Sequence, residues 1–122
     1  STATTATPVV ETLVDASASW NGAPLPAYPD GQPEVRLLRI TIPAGYQLGM
    51  HMHPVINVGY LLEGTLTVIT ETGERNELLA GDTIVEVVDT WHYGVNEGTD
   101  PAVILVFYAG TTDLPITIDE AP

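Results

Sequence analysis

From Glu34 to the C-terminus, no apolar stretch runs beyond about eight residues before Gly, Pro, Asn or Asp interrupts it. The segments follow quickly: EVRLLRITIP, YQLGMHMHP, INVGYLLEG, TLTVITETG, ERNELLAGD, TIVEVVD, WHYGVNEG, AVILVFYAG and PITID. None keeps a helical apolar period over ten or more residues. Each is rich in Val, Ile, Thr or Leu, residues that suit a pleated, half-buried surface. Many short strands separated by turn residues predict an all-β sandwich or barrel.

The N-terminal third reads differently. Residues 1–8 (STATTATP) are small and polar and predict a flexible terminus. Residues 9–34 begin with VVETLVDAS, a candidate edge strand, and continue into a Pro/Gly-rich loop. Trp20, Leu25 and Tyr28 are expected to pin that loop to the body. Residues 35–118 would then be the barrel, in a chain of 122 residues, enough for one core.

The formal charge is −13, with three arginines and no lysine. Such a surface repels nucleic acid and anionic lipid, so neither is expected as a partner. The apolar runs are far shorter than the roughly 20 residues of a membrane helix. A soluble protein is expected. The chain opens without Met, which fits either an exported protein after signal-peptide removal or the edge of a cloned segment. Cysteine is absent, which removes disulfides, thiolate ligands and cysteine nucleophiles.

Only three histidines occur, and two of them, His51 and His53, lie two residues apart. On a strand they point to the same side, about 7 Å apart along the chain. Two imidazoles so placed suit chelation of one metal ion. Asn57 shares their parity if the strand continues regularly past Pro54. The third histidine, His92, lies in GDTIVEVVDTWHYGVN.

Together these stretches resemble the two motifs of the cupin superfamily. In the first, Gly45, His51, His53 and Gly64 stand at the family's spacing, with Asn57 where the family has Glu. In the second, Gly81, His92 and Asn96 hold the spacing, with Val87 and Asp89 in place of Pro and Gly. The resemblance spans about residues 34–109. It implies a single-domain antiparallel jelly-roll β-barrel. It also implies that His51, His53 and His92 meet inside and hold one divalent metal, Fe by preference, with Zn, Ni, Mn or Cu as other candidates. Family likeness further implies a homodimer.

Asn57 removes the family's anionic ligand and offers only a neutral carbonyl oxygen. Glu86 is the candidate replacement. In GDTIVEVV it shares a face with Ile84, and the matching cupin positions are apolar and point inward. A carboxylate there needs a cationic partner. Glu86 is thus read as a fourth ligand or a nearby base, and Asn57 as a weak ligand or hydrogen-bonding neighbour. Gln47 shares the parity of His51 and is expected to line the pocket. Trp91 and Tyr93 flank His92 and should face away from it, and one of Phe107 and Tyr108 should face in.

Other chemistries lack their signatures: there is no G-x-S-x-G, no phosphate-binding Gly loop and no HExxH. Three-histidine, Glu-lacking centres of the family resemble those of dioxygenases acting on diketones or thiols. The leading expectation is a metal-dependent small-molecule dioxygenase. The alternatives are a non-redox isomerase or lyase in which Glu86 moves a proton, and a binding or sensing protein without turnover.

Overall fold

The computed structural model describes residues 5–121. Its strands are β1 (Pro33–Ile42), β2 (His51–Met52), β3 (Ile56–Glu63), β4 (Thr65–Thr70), β5 (Arg75–Leu79), β6 (Thr83–Val85), β7 (His92–Val95), β8 (Ala102–Thr111) and β9 (Ile118–Asp119). No helix occurs among the described residues. One sheet runs β1-β8-β3-β6 and the other β5-β4-β7-β2-β9, with every pair antiparallel. The two sheets enclose a core that includes Ile42, Leu61, Leu66, Val68, Ile84 and Ile104. This is the antiparallel jelly-roll barrel that the short alternating segments predict.

Alternation along β3 and β8 explains how the sheets close on one another. Asn57, Gly59 and Leu61 of β3 point inward, as do Ile104, Val106 and Tyr108 of β8. Residues of the opposite parity form an outer row, in which Leu37, Phe107 and Val58 are register neighbours across three strands. Leu37 and Phe107 are exposed.

The connection from β3 to β4 turns on Gly64, at φ +77°. A Cβ there would sit 2.5 Å from the Pro101 carbonyl oxygen and 2.9 Å from Ala102 Cα, both main-chain atoms. Only glycine fits both the left-handed backbone and the close approach.

The N-terminal segment departs from expectation. VVETLVDAS forms no strand, and Val9 and Val10 are almost fully exposed. The neighbouring edge strand β6 is only three residues long, so it presents too few free backbone groups to build a ladder. Contact is instead pointwise, through Trp20 N–H to the Val85 carbonyl and Thr83 Oγ1 to the Leu13 carbonyl. Trp20 packs on the core, whereas Tyr28 is 79% exposed and pins nothing. Residues 1–4 of the expected flexible terminus lie outside the described residues.

Candidate metal centre

Strand pairing brings the histidines together. His51 of β2 and His92 of β7 are direct register partners. His53 follows two residues later on the same side. The three rings form a triangle with centroids 4.5–5.0 Å apart. One nitrogen from each ring lies within 4.8 Å of the others.

The other nitrogen of each ring fixes its orientation. His51 Nδ1 lies 2.6 Å from the Gly49 carbonyl, His53 Nδ1 2.8 Å from the Ile116 carbonyl and His92 Nδ1 2.8 Å from the Thr90 carbonyl. A carbonyl can only accept, so each Nδ1 carries the proton and donates. Each Nε2 is left with a free lone pair, the tautomer that ligates metal. Burial works in the same direction. Desolvation lowers the pKa of all three rings, that of His53 to about 4, so all three are neutral at pH 7. His92 Nε2 is fully buried and has no hydrogen-bond partner among the described residues. A buried orphan nitrogen is costly, and a cation at the centre of the triangle would satisfy it. The donor set therefore fits a divalent metal.

Glu86 lies beside this triangle and is 8% exposed. Its Oε1 accepts from Trp20 Nε1 at 3.1 Å and from the Val87 N–H at 3.0 Å. The carboxylate is thereby turned so that Oε2 points to the histidines, 3.6 Å from His92 Nε2. His92 is neutral, so this contact is not an ion pair. Desolvation raises the Glu86 pKa, and the two hydrogen bonds and His51 oppose it only in part. A cation would hold the carboxylate ionised; without one, burial favours the acid.

Asn57 is 2% exposed and lines the same cavity. Its amide nitrogen donates to the Val55 carbonyl. Gln47 does not line the cavity: it is exposed, and Leu48 takes the inward place. The chain is not in strand conformation between Gln47 and His51, so the period of two that linked them is lost. Trp91 and Tyr93 lie outside the cavity, and Tyr108 faces into it while Phe107 faces out. The Tyr108 ring packs 5.5 Å from that of His53, and burial pushes its phenol up to about 12, so it stays protonated.

The turn before His92 uses Asp89 at φ +53°, where the family motif has glycine. Asp tolerates the left-handed region better than most residues. The Asp89 N–H also donates to the His53 carbonyl, linking the turn to the neighbouring ligand. Asn96 is structural: its side chain bonds the Ile42 and Asp100 carbonyls and the Gly98 N–H. Sequence reasoning missed the role of Trp20. It reaches Glu86 across 66 positions of chain, and nothing in a Pro/Gly-rich loop signals that pairing.

Comparison with known proteins agrees with this fold. The chain superposes on a Klebsiella pneumoniae protein with a double-stranded β-helix domain at TM-score 0.62 and 16% identity, covering 77% of this chain and 89% of that one. It superposes on a DMSP lyase from Ruegeria pomeroyi at TM-score 0.61 and 19% identity (72% and 44% covered). An oxalate oxidase bound to the substrate analogue glycolate gives TM-score 0.59 and 22% identity (70% and 45% covered). The chain thus spans under half the length of those two enzymes. No curated protein matches it in sequence. The family model described as "Cupin domain" matches residues 38–108, which include all three histidines and Glu86. The chain belongs to the cupin domain family.

Proposed function

We propose that this cupin is a metal-dependent enzyme acting on a small molecule, with His51, His53 and His92 as ligands of one divalent ion. The reading rests above all on the buried, unpartnered His92 Nε2, aimed at two further nitrogens whose lone pairs are freed in the same way. Three neutral imidazoles and a nearby carboxylate suit Fe(II), with Zn, Ni, Mn and Cu as alternatives. A bound ion would supply Lewis acidity and, if redox-active, oxygen chemistry. Glu86 would hold or move a proton at Oε2, with Oε1 anchored by Trp20 and Val87. It would otherwise serve as a fourth ligand. Asn57 would add a neutral hydrogen-bonding group beside it.

The leading reaction class is dioxygenation. Iron-loaded protein should consume oxygen with one member of a panel of enolic diketones and thiols. No uptake across the panel would count against it. The buried carboxylate also supports a non-redox isomerase or lyase, which should turn over with zinc or nickel under anaerobic conditions. Tight ligand binding with no turnover under either condition would identify a binding protein.

A homodimer belongs to the same reading. It is supported by the outer row of Leu37, Phe107 and Val58, an apolar strip on the four-stranded sheet. Sedimentation that finds only monomer at high concentration would overturn it.

A further inference from the structure

Polar groups occupy only part of the cavity wall. The histidines, Glu86, Asn57 and the Tyr108 phenol supply them. The rest of the wall is aliphatic, including Ile40, Leu48, Leu66, Ile84, Ile104 and Val106. No cationic side chain among the described residues lines it. The chain has no lysine. Of its arginines, Arg36 pairs with Glu34 and Arg75 with Glu97 and Glu77, both at the surface, while Arg39 is exposed. A second anionic group on a ligand would thus find no counter-charge away from the metal centre. An unpaired buried carboxylate is strongly disfavoured. An aliphatic group would meet a wall of its own kind.

The cavity is about 80 Å³. At ~30 Å³ for each water-sized group, it holds about three of them. Gly59 contributes to this space. A Cβ there would come 2.9 Å from Ile104 Cδ1 and 3.0 Å from Ile84 Cγ2, so the glycine leaves both isoleucines their positions on the wall.

We infer that the substrate is a small molecule with one chelating head, carrying at most a single negative charge, and a short branched aliphatic tail. Dicarboxylates whose second carboxylate would lie away from the metal centre, against the aliphatic wall, are excluded as substrates. This inference rests on the metal-centre reading above and adds the ligand class to it.

The test uses the full chain loaded with Co(II), whose visible spectrum reports ligands entering the coordination sphere. Three probes share an α-keto acid head: α-ketoisovalerate with a branched tail, α-ketoisocaproate as a length control, and α-ketoglutarate with a second carboxylate. Both branched acids should bind at least tenfold tighter than α-ketoglutarate. In Leu48→Lys the preference should narrow or reverse, because this half-buried position lets the ammonium reach the cavity while its stem stays on apolar surface. Equal or tighter binding of α-ketoglutarate to the unmodified chain would overturn the inference, as would Co(II) uptake with no response to any probe. Failure to take up Co(II) at all would instead overturn the metal-centre reading beneath it.

Discussion

The histidine cluster makes a prediction about the metal-free protein that needs no substrate. His53 titrates near 6.5 in an unfolded chain and at about 4 in the folded one, chiefly because burial removes water from the charged ring. Below pH 6.5 the unfolded chain gains a proton that the folded protein refuses. Folded-state stability therefore falls as pH drops, until it levels off below about 4. At ~1.36 kcal/mol for each pKa unit, moving from pH 7 to pH 5 removes about 2 kcal/mol through His53 alone. Glu86 acts with the opposite sign. Its raised pKa favours the folded state at low pH, a contribution lost as pH rises through the folded value. The two trends overlap, so the wild-type slope alone does not separate them.

His53→Asn isolates the histidine, since both proteins keep Glu86. Urea unfolding of chelator-treated protein at pH 7 and pH 5 should show the wild type losing about 2 kcal/mol more than the variant over that interval. Equal losses in the two proteins would refute the argument that burial holds His53 neutral. The same burial readies the ring for metal, because a neutral imidazole need not shed a proton to bind. Saturating metal should accordingly leave the His53 part of the slope unchanged at the pH 7 end, because the ring is neutral in the folded protein with or without the ion.

Three further outcomes are expected. Glu86→Gln keeps an acceptor for Trp20 and Val87 and removes a buried charge, so melting temperature at pH 7 should hold or rise. Turnover should fall by about a hundredfold or more, the range of a lost general base; unchanged activity and metal content would end the role given to Glu86. Trp20→Phe keeps an aromatic ring on the core and deletes one donor to the carboxylate, at a cost of about 1–3 kcal/mol in denaturant unfolding of the metal-loaded protein, where the cation would hold Glu86 ionised. A neutral result would mean the indole N–H does not hold Glu86. Gly64→Ala should cost well over the ~1–2 kcal/mol of a left-handed alanine, because main-chain atoms of Pro101 and Ala102 block the methyl. Gly73→Ala, also left-handed but facing open space, should cost only about that amount, and equal losses at both sites would contradict the packing argument.

The barrel strands were readable from period and punctuation because both act locally. β1, β3, β4 and β8 each fill a segment bounded by turn residues in the sequence. The histidine triangle was readable because His51 and His53 are a period-two pair and His92 completes a spaced motif. Parity also located Ile84 and Glu86 on the inner face, since the three-residue β6 runs regularly into Glu86. Parity failed at Gln47, where Gly49 and the residues around it leave strand geometry before β2 begins. Apolar content misled at VVETLVDAS, because a strand also needs an edge long enough to pair with. The hold of Trp20 on Glu86 was invisible, since a contact between a loop and a strand 66 positions away leaves no periodic trace.

Everything proposed for the site depends on His51, His53 and His92 binding one metal ion. Elemental analysis of gently purified protein, beside His51→Ala/His53→Ala, tests it most directly. The prediction is about one equivalent of a divalent transition metal, absent from the double variant. Protein that carries no metal, and takes up none when Fe, Mn, Ni, Cu and Zn are offered, would contradict it.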